Sequence, residues 1–210
     1  MKTIILVAMM AAASIPVLAQ EYPDPEFSNE VYFLKKDSGY SLVRLEKGIS
    51  RMDTKAKLGG FGGSEASYNL EGSRSTARVS GGSQLSFVYS NGTAKKANPS
   101  RDSMMRANGM DPSMADGFGF GMDPSQNLVL YRADGGKGKR KIMMQKSPGA
   151  FGSKKLSSAD KYSFSLKKIR DGYWELVIDK PLPRGEYAFS AVNTMSGSDG
   201  SMTFFSFGVE

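Results

Sequence analysis

Short runs of apolar residues alternate with glycine-rich and charged turns along most of the chain. Residues 30–35 and 40–45 are two such runs, and the polar turn between them predicts a β-hairpin. The alternation is clearest at residues 162–167 and 173–178, where Asp171-Gly172 supplies one of the strongest local signals for a hairpin. The chain contains about eleven such strand candidates and no long helical stripe, which predicts an all-β fold.

The same pattern predicts further strands and two irregular regions. Residues 46–64 are polar and then glycine-rich, so we expect a loop there, with a short helix at residues 49–57. Residues 91–126 contain five methionines and follow neither the helical nor the strand period, which indicates a long Gly/Met-rich loop. The short, regularly spaced strands favour an antiparallel β-sandwich. The remaining strands are predicted at residues 66–70, 76–79, 84–89, 127–132, 141–145, 186–192 and 202–209.

The chain begins with a basic residue, an apolar run and then small residues, which is the layout of a secretory signal peptide. We expect a signal peptide at residues 1–19, cut between Ala19 and Gln20, since the apolar run is about half the length of a membrane span. Residues 20–27 are then an extended linker, and residues 28–210 form a single domain. The protein is expected to be exported, to the periplasm or to the outside of the cell.

The amino-acid composition excludes several classes of catalytic and metal site. The chain contains no cysteine and no histidine, so it cannot form a Ser-His-Asp triad, a Cys-His pair or a histidine-ligated zinc site. It contains 28 basic and 21 acidic residues, for a formal charge of +7, and this balance favours contact with polyanions. No motif for a cofactor or for specific nucleic-acid recognition is present, and no apolar run of spanning length follows the signal peptide.

The densest basic cluster consists of Lys137, Lys139, Arg140 and Lys141, at the expected tip of the hairpin that joins two of the central strands. Such a tip can contact phosphate, sulfate or carboxylate groups electrostatically, and salt weakens that contact. We therefore take these four residues as the candidate ligand-binding site. The expected partners are an acidic polysaccharide, lipopolysaccharide or a surface protein.

Two other kinds of site remain open. Glu175 and Glu186 lie on strands that are candidates for neighbours, and a carboxylate pair at a defined separation can hydrolyse a glycosidic bond. The methionines of residues 91–126 offer thioether sulfurs, which are soft ligands suited to Cu(I). The sequence thus leaves a secreted hydrolase and a methionine-based copper carrier as alternatives to a binding module.

The segment Leu182 to Tyr187 resembles the corner that precedes a late strand in immunoglobulin-like and fibronectin type III-like sandwiches. The resemblance implies that the hydroxyl of Tyr187 bonds to backbone a few residues upstream and that this tyrosine is structural. It also implies an immunoglobulin-like C-terminal part, so that the domain is either one sandwich or an N-terminal hairpin plus an immunoglobulin-like half from about residue 127.

A second resemblance rests on the layout of short motifs along the chain. The chain resembles uncharacterised secreted β-sandwich proteins of Bacteroidetes-type bacteria, which implies export and β architecture but no activity. The motifs are the signal peptide, Leu45-Glu46-Lys47, a glycine-rich crossing, Lys137-Gly138-Lys139-Arg140-Lys141, Gly185-Glu186-Tyr187 and Phe205-Ser206-Phe207-Gly208-Val209.

The interpretation that the sequence favours is an exported, non-enzymatic binding or structural module. A flat face with basic or aromatic side chains would support it. A cleft with two carboxylates about 5–10 Å apart would support the hydrolase instead. Clustered thioether sulfurs would support the copper carrier.

Overall fold

The computed structural model describes residues 21–56, 63–82, 84–91, 106–109, 124, 128–148, 157–191 and 200–210. The elements of this part are fourteen β-strands, so the predicted all-β class is confirmed. In this described part of the chain, no helix is long and apolar enough to cross a membrane. The signal peptide predicted at residues 1–19 and most of the Gly/Met-rich loop lie outside the described residues. In chain order the strands are β1 Glu30–Lys36, β2 Tyr40–Arg44, β3 Glu46–Ala56, β4 Ser64–Glu71, β5 Arg78–Val79, β6 Ser86–Ser90, β7 Leu128–Gly136, β8 Lys139–Ser147, β9 Ser157–Ser158, β10 Lys161–Tyr162, β11 Phe164–Arg170, β12 Tyr173–Ile178, β13 Gly185–Ala191 and β14 Ser201–Val209.

Five antiparallel strands form an open sheet in the order β11-β12-β6-β1-β2. It contains the two hairpins that the sequence predicts most clearly, β1–β2 and β11–β12. The turn of the second hairpin is Asp171-Gly172, and Gly172 adopts a φ of +68°, which glycine accepts without strain.

The other sheet closes into a barrel of six strands in the order β7-β13-β14-β3-β4-β8, with β8 returning to β7. The closing pairs join Asp134, Gly135 and Gly136 of β7 to β8, while β9 and β10 border the remainder of this seam. The antiparallel all-β class is therefore confirmed, whereas the sandwich and its immunoglobulin-like details are not, because one of the two sheets is closed. Strand β5 pairs in parallel with β14.

The loop with a short helix expected at residues 46–64 is wrong for residues 46–56, which form β3, a wall strand of the barrel. Residues 57–62 of that region lie outside the described residues. The inward positions of its first half are Glu46, Gly48 and Ser50, so the strand lacks the alternating apolar residues that mark a half-buried strand. Gly48 packs closely against Leu70, since a Cβ there would lie 3.3 Å from that side chain, closer than an ordinary contact.

Apolar side chains fill three layers. The largest cluster lies between the open sheet and the barrel, where Phe87 packs against Phe189 and Phe207 with ring centroids 5.0 and 4.7 Å apart. A second cluster fills the barrel and includes Tyr68 and Phe204. A third covers the outer face of the open sheet. The barrel has too few strands to enclose a ligand cavity, and its inward side chains fill it.

The corner before β13 has the local bond that the sequence predicts. The hydroxyl of Tyr187 donates to the carbonyl oxygen of Pro183 at 2.7 Å, and the ring is fully buried. Tyr187 is therefore a structural residue that fixes the entry of β13 into the barrel wall.

Candidate functional site

The hairpin tip predicted as the ligand-binding site is a two-residue turn, Lys137-Gly138, between β7 and β8. Both residues have positive φ, +46° for Lys137 and +77° for Gly138, as the tight turns of hairpins require. The side chains of Lys137 and Lys139 are exposed there. Two of the four predicted residues thus lie on the tip.

Arg140 does not belong to that exposed tip. Its side chain is 1% exposed and points into the barrel, because residues of a strand alternate between its two faces. The guanidinium is paired with Glu46 and donates to the hydroxyl of Ser206 at 3.0 Å and to the carbonyl of Gly72 at 3.2 Å. Lys141 lies on the outer wall of the barrel, where it pairs with Glu65.

The two carboxylates considered for hydrolysis are not neighbours. Glu175 lies on β12 of the open sheet, whereas Glu186 lies on β13 of the barrel. Glu186 accepts a bond from the backbone amide of Ser75 at 2.7 Å and pairs with Arg78 at 2.5 Å. Each carboxylate therefore has a separate structural role, and the predicted pair is not formed.

Within the described ranges, no group of three or more histidine, cysteine, aspartate or glutamate side chains is arranged to hold a metal ion. All five methionines of residues 91–126 lie outside the described residues.

A surface that sequence reasoning missed lies on the outer side of the open sheet. The segment 21–27 crosses this side, and the rings of Tyr22 and Tyr40 meet there with centroids 4.8 Å apart and planes tilted by 59°. The ammonium of Lys167 lies 5.9 Å from the Tyr22 ring centroid, and that of Lys36 lies 6.0 Å from the Tyr40 ring centroid. We name these four residues the aromatic–basic face.

A buried carboxylate fixes the aromatic–basic face from beneath. Glu175 is 2% exposed; it pairs with the ammonium of Lys36 at 2.5 Å and accepts the hydroxyl of Tyr22 at 2.6 Å. Burial alone raises the pKa of Glu175, but the hydrogen bonds from Lys36 and Tyr22 outweigh it, so this pKa lies below its usual value. Burial and the bond to Glu175 raise the pKa of Tyr22, so the phenol stays neutral. The ammonium of Lys36 is thereby held at the surface with its side chain 40% exposed.

A further cation, Arg44, lies beside the aromatic–basic face and is also placed over an aromatic ring and paired with a buried carboxylate. The guanidinium of Arg44 lies 4.4 Å from the ring centroid of Phe27, which is 41% exposed. Arg44 donates two hydrogen bonds to the buried carboxylate of Glu30, at 2.8 and 2.9 Å, and Lys47 reaches the same carboxylate at 3.2 Å. Burial raises the pKa of Glu30, but these bonds outweigh it and lower the pKa.

Backbone bonds anchor the segment that carries Tyr22. The hydroxyl of Tyr173 donates to the carbonyl of Pro23 at 2.6 Å, and the amide of Phe27 donates to the hydroxyl of Tyr32 at 3.0 Å. Burial raises the pKa of Tyr173 to about 12. Residues 21–27, interpreted from sequence as a linker, are thus packed against the sheet.

Similarity to known proteins supplies no site residue for this chain. Comparison with protein-family models, with curated proteins and with solved structures finds no match. The chemistry of the described surfaces is therefore what supports a function.

Proposed function

We propose that the protein is an exported, non-enzymatic binding module that contacts an acidic surface polysaccharide through the aromatic–basic face. The observation that carries this proposal is the placement of two exposed ammonium groups, Lys36 and Lys167, over the half-buried rings of Tyr40 and Tyr22. Export is inferred from the signal-peptide pattern of residues 1–19.

Each part of an acidic sugar chain matches a part of this surface. The apolar side of a sugar ring packs on an aromatic ring, and a tyrosine also presents a polar hydroxyl to the sugar hydroxyl groups. Carboxylate or sulfate groups of the polysaccharide can accept hydrogen bonds from the ammonium groups of Lys36 and Lys167 and from the guanidinium of Arg44. The negative charge of Glu175 and Glu30 is buried, so the polymer meets the cations first.

The geometry favours a sugar chain over single-stranded nucleic acid. Successive bases stack on ring faces that follow the strand. The Tyr22 and Tyr40 rings contact each other with planes tilted by 59°, so they do not form a continuous stacking platform. A saccharide ring needs only one exposed aromatic side to pack against.

A binding role also agrees with the state of the ionisable groups of this face. The bonds from Lys36 and Tyr22 hold Glu175 in its charged form, with a lowered pKa. A glycosidase acid needs the opposite, a carboxyl whose pKa is raised so that it keeps a proton near neutral pH.

The hairpin tip, with Lys137 and Lys139, remains the competing location for polyanion binding. Its lysines are exposed but have no aromatic partner among the contacts described for the tip. Electrostatic attraction alone gives a contact that salt weakens strongly, whereas ring stacking adds a component that salt does not screen.

One experiment separates the two locations. The chain from residue 20 is tested against a sulfated or uronate-rich polysaccharide, lipopolysaccharide, single-stranded DNA and a neutral glucan, at low and physiological salt. We expect Lys167→Gln with Tyr40→Leu to weaken binding to the acidic polysaccharide at least tenfold, while Lys139→Gln with Lys137→Asn changes it less than twofold. Loss of binding only in the tip variant, or preference for DNA, would refute the assignment to the aromatic–basic face.

A further inference from the structure

Three methionines occupy inward positions of barrel strands at the end opposite Arg140. Met202 on β14 and Met144 on β8 both pack against the cluster inside the barrel, which includes Tyr68 and Phe204. Neither belongs to the region 91–126 in which the sequence pattern places its methionines.

The third methionine, Met52, faces the same interior. Directly opposed residues of an antiparallel pair share a face of the sheet, and Met52 lies opposite the buried Tyr68. Met52 is 48% exposed, because β3 extends beyond its partner β14 at this end. The side chain of Met52 is therefore accessible to solvent at this end of the barrel, opposite Arg140, which we call the open end.

The stagger of the barrel brings these side chains to one height. A path that steps from each residue to its directly paired neighbour leaves β7 at Leu128, goes once around the barrel and returns to β7 at Gly136. The return point is about eight residues closer to the end at Arg140, which we call the closed end. Shared over six strands, this offset means that residues at the same height advance about 1.3 residues toward the open end with each strand. The path runs through Ala191, Thr203 and Ile49, reaches Glu71 when the β3–β4 register is extended by three residues beyond Met52, and continues to Lys139.

The positions of the three methionines along their strands are offset by about this number of residues per strand. Met202 pairs with Ser50, and Met52 lies two residues closer to the open end on that neighbouring strand. The line from Met52 reaches Ile142 after two more strands, and Met144 lies two residues further along β8, at a bulge where β8 has one extra residue opposite Ala66 and Ser67. The advance is therefore three to four residues over three strands, which matches the stagger and places the three methionines within about one residue of the same height.

The barrel is narrow enough for the three side chains to meet. Six strands with this stagger enclose a cylinder with a radius of about 6–7 Å, which is close to the reach of an extended methionine side chain from its backbone. Inward side chains at one height can therefore reach the axis together, which brings the thioethers of three different strands within reach of one ion.

Thioether sulfur is a soft ligand that selects Cu(I) and binds hard cations poorly. The chain has no cysteine or histidine to compete for such an ion. Of the neighbouring inward residues, Tyr68 and Phe204 are aromatic and pack with ring centroids 5.2 Å apart. The hydroxyl of Ser50, opposite Met202, is bonded to the backbone amide of Asn69 and the carbonyl of Arg51. We propose that Met52, Met144 and Met202 form a binding site for one Cu(I) ion at the open end of the barrel.

The test is an anaerobic titration of the full mature chain with Cu(I) against a chromophoric Cu(I) chelator. Leucine keeps the volume of methionine but has no sulfur, so the triple variant M52L/M144L/M202L retains the packing of the barrel. Met143 lies on β8 beside Met144 but faces outward, which makes M143L the matched control. Far-ultraviolet circular dichroism establishes that each variant is folded.

We expect the wild type and M143L to bind one Cu(I) with the same affinity, and the triple variant to bind at least 100-fold more weakly. The X-ray absorption spectrum of the wild-type complex should show sulfur-only coordination. Equal affinity of the triple variant, absence of Cu(I) binding by the wild type, or oxygen and nitrogen ligands in the spectrum would overturn the proposal.

Discussion

The guanidinium of Arg140 pairs with the carboxylate of Glu46 inside the closed end of the barrel. Arg140 also donates to the backbone carbonyls of Glu71 and Gly72, so one side chain joins β8 and β3 to the loop after β4. Burial raises the pKa of Glu46, but the bond from Arg140 and the amide of Thr76 outweigh it, and this pKa is lowered. The pair therefore stays charged and closes this end of the barrel.

Replacement of Arg140 by methionine should destabilise the fold by about 3–5 kcal/mol, because it removes one partner of a buried ion pair and leaves its acceptors unsatisfied. Urea unfolding measures the loss. The adjacent Lys139→Met is the control and should change the free energy of unfolding by about 0.5 kcal/mol or less, since Lys139 is exposed. Equal losses in the two variants would contradict the inward placement of Arg140.

The ion pair of Glu175 with Lys36 should make stability depend on pH. The folded-state pKa of Glu175 is lowered, so its stabilising contribution is present above the pKa of the unfolded carboxyl and is lost as pH falls through the folded value. The stability difference between wild type and Lys36→Met should thus be largest near pH 7 and shrink below about pH 4. Unfolding at a series of pH values measures it, and a difference that does not change with pH would argue against the pair.

Two adjacent glycines should respond very differently to alanine. A Cβ at Gly135 would lie 2.7 Å from the backbone oxygen of Ser73, whereas a Cβ at Gly136 has nothing within 4 Å. We expect Gly135→Ala to cost about 1–3 kcal/mol through this clash and Gly136→Ala to be neutral within about 0.5 kcal/mol. Thermal unfolding of both variants tests the close approach of the 71–77 loop to β7.

The hydroxyl of Tyr22 should contribute to the attachment of residues 21–27. Tyr22→Phe keeps the ring contact with Tyr40 but removes the bond to the buried carboxylate of Glu175. We expect a loss of about 1–2 kcal/mol in the free energy of unfolding, and a larger loss for Tyr22→Ala, which removes the ring as well. A phenylalanine variant as stable as the wild type would mean that the 2.6 Å bond contributes nothing.

Hairpins with strong local signals were predictable from sequence. The Asp171-Gly172 turn and its alternating flanks specify β11–β12 through nearby residues. Strand β3 was not predictable, since its inward positions carry Glu46, Gly48 and Ser50. Closure of the barrel depends on pairings between strands distant in sequence, which short-range patterns do not contain.

The candidate surfaces were predictable only in part. The basic run was evident, but the period-two alternation of Arg140, Ile142 and Met144 was the signal that Arg140 points inward. The aromatic–basic face combines Tyr22, before the first strand, with side chains of β1, β2 and β11, so no local motif marks it.

The most direct test of the account is a residue-resolved titration of the mature chain with a short sulfated or uronate oligosaccharide, followed by nuclear magnetic resonance at physiological salt. We predict that the largest chemical-shift changes occur at Tyr22, Lys36, Tyr40 and Lys167 and saturate with one affinity. Changes confined to residues 134–141, or no saturable change anywhere, would contradict it.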